Sequence, residues 1–104
     1  MSPGKRELPV TQQSMVAMAW FENPALYRNS RSIMSDKSSL PLAYMDWLDL
    51  AKRNEKMLEA AGHKVVRVPI SLGVFRDFCR HRGFDHDSVA RSRYAASMLD
   101  RPAR

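Results

Sequence analysis

Residues 65–70, Val-Val-Arg-Val-Pro-Ile, are the one segment of this chain that reads plainly as a β-strand. Val66, Val68 and Ile70 alternate to one face, and Val65, Arg67 and Pro69 take the other. The segments around it carry helical signals. A single strand cannot satisfy its own backbone donors and acceptors, so it must find a partner. Pro69 has no N–H and belongs on an edge or at the strand's end. Two partners are open. One is Glu7–Thr11 of the same chain, where Pro9 makes a poor central partner. The other is the same strand of a second molecule, paired antiparallel about a two-fold axis. The second is preferred and implies a homodimer, because helices packed on one face stabilise a ribbon that is marginal alone.

The helical signals are local and specific. Asn23-Pro24 supplies an N-cap and a first helical residue for a short helix through Leu26, Tyr27, Ile33 and Met34. Ser14–Phe21 is apolar on every side, and its Ala and Met content favours a short buried helix over a strand. Ser35–Ser39 reads as a loop. Residues 41–61 place Ala43, Tyr44, Trp47, Leu48, Leu50, Ala51, Met57, Leu58 and Ala61 on one half of a helical wheel, with Pro41 in the first turn and Gly62 as cap. Asp46, Asp49, Lys52, Arg53, Lys56 and Glu59 fill the other half, and Asp49 and Arg53 are spaced for an i,i+4 pair. Trp47 and Met57 read as packing residues. Ser71 can cap a helix from Leu72 to Arg82 ended by Gly83. Asp85 or Asp87 can cap a last helix from Ser88 to about Asp100, before Pro102.

These readings give a mainly α fold: four or five short helices with one strand at about 65–70. With 104 residues there is room for one core and not two, so residues 1–104 are expected as a single domain with 1–11 as a flexible arm. No apolar run approaches the ~20 residues of a membrane span. The start, MSPGKRELPVTQQ, lacks the apolar core of a signal peptide, and one cysteine excludes an internal disulfide, so a cytoplasmic protein is expected.

Charge is the more informative total. The chain carries a net +6, and residues 63–104 hold nine basic against four acidic side chains, a local +5. Eight of those nine are Arg, whose planar donors suit phosphate and carboxylate. An anionic partner follows, most commonly nucleic acid. Solvated surface charge is an equally serious reading.

Residues 65–99 resemble the ribbon-helix-helix DNA-binding proteins in their order of strand, helix, Gly turn and helix. Gly83-Phe-Asp-His-Asp-Ser-Val-Ala-Arg91 is similar to that family's Gly turn, polar helix cap and following Arg. The resemblance implies paired strands in the major groove, with Lys64 and Arg67 at base edges or phosphates. FRDFCRHRGFDHDSVARSRY is also similar to a helix-turn-helix, with Cys79 four before the turn Gly83, Phe84 directly after it and Val89 six after. That likeness implies groove entry by the N-terminal residues of the second helix, here Ser88, Ala90, Arg91 and Arg93.

Arg76, Arg80, Arg82, Arg91 and Arg93 could line one basic surface across the last two helices, or form a solvated rim around their apolar stripes. Cys79, His81 and His86 offer no shared metal geometry, because Cys79 and His81 point about 200° apart around a helix. No activating base accompanies Cys79, and an apolar setting raises a thiol's pKa. No phosphate loop, paired carboxylates or Ser-His-Asp order is recognisable, so no catalytic activity and no cofactor are expected. Arg without aromatic interleaving argues mildly against single-stranded nucleic acid. The expectation is a small dimeric DNA-binding regulator or accessory factor that contacts double-stranded DNA through Lys64, Arg67, Arg76, Arg80, Arg82, Ser88, Arg91 and Arg93. The alternative is an adaptor or inhibitor whose Arg-rich half docks on an acidic protein.

Overall fold

The strand expected near residues 65–70 is present as β2 (Lys64–Pro69) in the computed structural model, which describes residues 14–99. Its partner is β1 (Met15–Trp20), paired in parallel with Met15 beside Lys64 and Trp20 beside Pro69. This corrects two expectations. Ser14–Phe21 is not a helix, and the chain has two strands among its described residues rather than one. Local propensity misled here for a physical reason. Every residue of β1 is apolar, so it lacks the alternation that marks a half-buried strand, and periodicity alone cannot tell such a run from a buried helix. The alternative partner Glu7–Thr11 and the expected arm over 1–11 lie outside the described residues.

Parallel strands need a long crossover. It is made by α1 (Pro24–Ile33), a 3-10 turn at Lys37–Ser39 and α2 (Tyr44–Ala60). Asn23 caps α1 as its sequence predicts, its Oδ1 accepting the Leu26 N–H at 2.8 Å. α2 ends on Gly62 at φ 97°, with the Gly62 N–H donating to Glu59 O and the His63 N–H to Leu58 O. That closure turns the chain straight into β2. Ser14 and His63 share a side-chain hydrogen bond that ties the two strand starts together. After β2 come α3 (Leu72–Arg82) and α4 (Ser88–Leu99). Gly83 holds the left-handed φ of 71° that ends α3, and Asp87 Oδ1 accepts the Ala90 N–H at 3.0 Å at the start of α4.

The pleat assigns the two sheet faces. Ala17, Ala19, Val66 and Val68 pack with Phe75 of α3 and Tyr94 and Ala95 of α4, which form the main core with Ile70 and Cys79. On the other face α2 brings Trp47 against Trp20, with ring centroids 5.3 Å apart, and Glu55 against Arg67. Phe21, Tyr27 and Tyr44 complete an aromatic cluster around Trp47. Tyr44 donates to Phe21 O at 2.8 Å, and Tyr27 donates to Pro41 O. Burial raises the Tyr27 phenol above its ordinary value. Trp47 is thus a packing residue, as expected. Met57 is not: it is 68% exposed, and Leu50 is exposed as well. No described helix is long and apolar enough to cross a membrane.

One buried group lacks a partner. Ser30 on α1 is fully enclosed, and its hydroxyl makes no hydrogen bond. An unsatisfied buried hydroxyl carries a desolvation penalty with no return. Ser30→Ala should therefore raise folding stability by up to about 1 kcal/mol, read as a higher urea midpoint at unchanged slope. A lower midpoint would show that the hydroxyl has a partner.

Candidate functional site

The eight residues expected to touch DNA do not share a surface. Arg67 lies across the indole of Trp20, its guanidinium carbon 3.9 Å from the ring centroid, and Nε and Nη2 donate to both oxygens of Glu55 at 2.8 and 2.7 Å. Those hydrogen bonds hold the Glu55 carboxyl below the usual carboxylate range. A guanidinium stacked on one side and forked onto a carboxylate has few donors left for a base edge. Lys64 is exposed at the start of β2, and its N–H donates to Ser14 O at 2.9 Å.

Arg91 is engaged more deeply. Nη1 and Nη2 donate to Oδ1 and Oδ2 of Asp36 at 3.0 and 2.9 Å, and Met34 Sδ lies 3.3 Å from Nη1. The Arg91 side chain retains 11% of its free exposure and that of Asp36 retains 22%. This pair clamps the loop after α1 onto α4, beside the Ser35 N–H donating to His86 O at 2.7 Å. Arg91, a central reader in the helix-turn-helix likeness, is therefore turned inward. Ser88 remains exposed as the first residue of α4.

The five arginines of the last two helices also divide by geometry. Arg76 and Arg80 lie one turn apart on one flank of α3 beside a shallow depression of about 420 Å³, where Arg80 pairs with Asp77 at 2.7 Å. Arg82 is two residues beyond Arg80, a rotation of about 200°, which carries it to the other flank. There its guanidinium lies 4.8 Å from the ring centroid of Phe78. Phe78 and Phe84 are 5.8 Å apart, and Arg93 of α4 lies 5.8 Å from Phe84. The sequence Arg82, Phe78, Phe84, Arg93 is thus one continuous strip, with exposed arginines outside and half-buried rings between them.

Local structure explains why the strip exists. Phe78 and Arg82 are four apart on α3 and share a face. The left-handed turn at Gly83 folds Phe84 back onto Phe78, with the Phe84 N–H donating to Cys79 O at 2.9 Å. Tyr94 of α4 meets Phe78 edge-on at 5.7 Å and supports that ring. Guanidinium stacking over an aromatic face is worth about 0.5–1 kcal/mol at an exposed site, and it holds the arginine in place with its N–H edge free.

Sequence reasoning found Arg82 and Arg93 but missed the phenylalanines between them. The Phe78–Arg82 spacing was a readable signal, whereas Phe84 and Arg93 meet only in the folded chain. Cys79 is buried and its thiol faces Asp85 O at 3.9 Å. Burial first, and the Asp87 carboxylate second, push that thiol up from its ordinary pKa. His86 packs near Phe75, and His81 Nδ1 lies 2.8 Å from Asp77 O. Among the described residues, no three His, Cys, Asp or Glu side chains converge as a metal site would require. No family model matches this chain, and no significant similarity links it to a curated protein or to a solved structure.

Proposed function

We propose that this chain is a protein-docking module whose binding face is the strip Arg82–Phe78–Phe84–Arg93, and that its partner presents carboxylates around an apolar patch. The observation that carries the reading is the pair of arginines held over two adjoining, half-exposed phenylalanine rings. Aromatic and Arg side chains dominate the energetics of protein interfaces, and arginines already ordered in the free state lose less entropy on binding.

Magnitudes weigh against double-stranded DNA as the partner. A phosphate-reading surface of ordinary affinity makes roughly 6–10 contacts. Of the seven basic residues between 63 and 99, Arg67, Arg80 and Arg91 sit in ion pairs. Lys64, Arg76, Arg82 and Arg93 are left, divided among different faces.

The test is capture by the tagged full-length chain from nuclease-treated lysate, run beside an Arg82→Glu, Arg93→Glu variant. Both side chains are exposed, so the variant should keep its circular dichroism and melting temperature. Retention of the partner should fall by roughly thirtyfold, the effect of losing about 2 kcal/mol at a hot spot. Equal retention by both chains would refute the assignment of the face. Loss of the partner with nuclease, together with steeply salt-dependent binding to a generic duplex, would restore the DNA reading.

A further inference from the structure

Helix α2 covers the sheet with one side and turns the other to solvent. At about 100° per residue, Trp47, Ala51 and Leu58 point inward within about 40° of one another. Opposite them, Asp49, Arg53, Lys56 and Ala60 fall within about 60° of one another. Met45, Asp46 and Met57 flank that group, and every residue of this outer face is exposed.

The apolar members of the outer face stand at its two ends. Met45 is 62% exposed and Met57 68%, and Leu42, just before the helix, is 84% exposed. Met45 and Met57 are about 18 Å apart along the axis. Between them the charges are sorted by sign: Asp46 and Asp49 come first, and Lys52, Arg53 and Lys56 follow.

The helix alone gives no reason for that order. The macrodipole accounts for Asp46 in the first turn but not for the cations, since the last turn holds none. Like charges three or four residues apart repel on a single helix, and both groups are so spaced. Among the described residues none of the five sits in an ion pair, not even Asp49 and Arg53, whose spacing suits one. Glu55 is taken by Arg67, and Glu59 lies about 100° from the centre of the face.

We propose that this face pairs with the same face of a second copy, the two α2 helices running antiparallel about a two-fold axis. Antiparallel order sets the Asp46–Asp49 end of one copy against the Arg53–Lys56 end of the other, and the two-fold repeats the match. It also brings each Met45 end to the Met57 and Ala60 end of its partner. A parallel pair would set like charges on like. The order of signs selects a second copy, because one surface then supplies both halves of the match. α3 and α4 lie on the far side of the sheet from α2, so this pairing leaves both arginine–phenylalanine strips uncovered and makes the docking module bivalent.

The pairing rests on α2 alone, and its test is independent of the strip. One pair of helix faces is a small interface, so self-association in the micromolar range is expected. Sedimentation equilibrium of the full-length chain, from low to high micromolar concentration, should show a reversible monomer–dimer equilibrium that weakens as salt is added. Asp46→Lys with Asp49→Lys should raise the dissociation constant about tenfold, and so should Arg53→Glu with Lys56→Glu. All four positions are exposed, so circular dichroism and melting temperature should hold. In an equimolar mixture of the two variants every acidic end again meets a basic one, and a heterodimer at least as tight as the native pair should form. Met57→Glu, which removes an apolar end, should also weaken the dimer and keeps the test open if a charge variant misfolds. The Arg82→Glu, Arg93→Glu variant should dimerise as the native chain does.

A chain that stays monomeric at every concentration would overturn the proposal. So would a dimer that both charge variants leave intact, because another surface would then hold it. Variants that fail singly and also fail to pair when mixed would overturn the antiparallel order.

Discussion

Phe75→Ala is expected to remove about 3–5 kcal/mol of folding free energy, a large share of the roughly 5–15 kcal/mol that holds a domain of this size. Phe75 is completely buried. It meets Tyr94 edge-to-face at 5.6 Å and 89°, and lies 5.8 Å from the His86 ring. It therefore joins α3 to α4 and both to the sheet. Truncation forfeits the transfer free energy of the ring and leaves a cavity whose walls, Tyr94, Cys79 and Val68, belong to three different elements. Such walls cannot all collapse inward together. Urea unfolding should show the loss as a lowered midpoint with the slope unchanged. A loss below about 1 kcal/mol would mean that α3 is not seated in the core. Because Phe78, Arg82 and Phe84 depend on how α3 is seated, the variant should also lose the docking partner near its melting temperature.

Breaking the Asp36–Arg91 pair is the second large effect, and it carries a pH signature. Removing the Asp36 carboxylate strips its bidentate partner from an arginine whose side chain keeps 11% of its free exposure. Asp36→Asn should cost about 2 kcal/mol near neutral pH. Hydrogen bonds from Arg91 hold the Asp36 carboxyl below the usual carboxylate range, outweighing the opposing effect of burial. The folded carboxyl thus binds its proton less readily than the unfolded one, whose pKa is about 3.9. Its contribution is fully present above that value and disappears as pH falls through the lower folded value. The native chain should lose stability in acid more steeply than Asp36→Asn, so the gap between their urea midpoints should narrow from about pH 6 to about pH 3. A gap independent of pH would mean that the carboxylate is not the group at work.

Most individual elements were legible without the fold. The Asn23-Pro24 start, the run into Gly62, the alternation ending at Pro69, and Gly83 followed by the Asp87 cap all act within a few residues of themselves. Such signals survive in any tertiary setting because the backbone groups they satisfy are local. The apolar half of α2 was legible only in part. Tyr44, Trp47, Leu48, Ala51 and Leu58 turn inward, while Leu50 and Met57 stand exposed. A helical wheel measures amphipathicity and cannot know how wide the covering sheet is. With one neighbouring strand face to cover α2, a stripe narrower than half the wheel is buried.

The basic surface was the least legible feature. Eight arginines in the last 42 residues look like one electrostatic patch when read along the chain. Their carboxylate partners Asp36 and Glu55 come from elsewhere in the sequence, and pairing removes Arg67 and Arg91 from any shared face.

The amino-acid order alone thus settled the Asn23-Pro24 start of α1, the stops at Gly62 and Gly83, where β2 ends and that the chain is basic, because each depends on neighbours in sequence or on a simple total. Tertiary structure decided three further things: that MVAMAW is a strand, that it pairs in parallel with β2, and that Arg82 and Arg93 meet across two phenylalanine rings. Each of these depends on contacts between residues far apart in the chain. A parallel strand has no register until the crossover has folded, and an arginine has no partner until the chain brings one within about 3 Å.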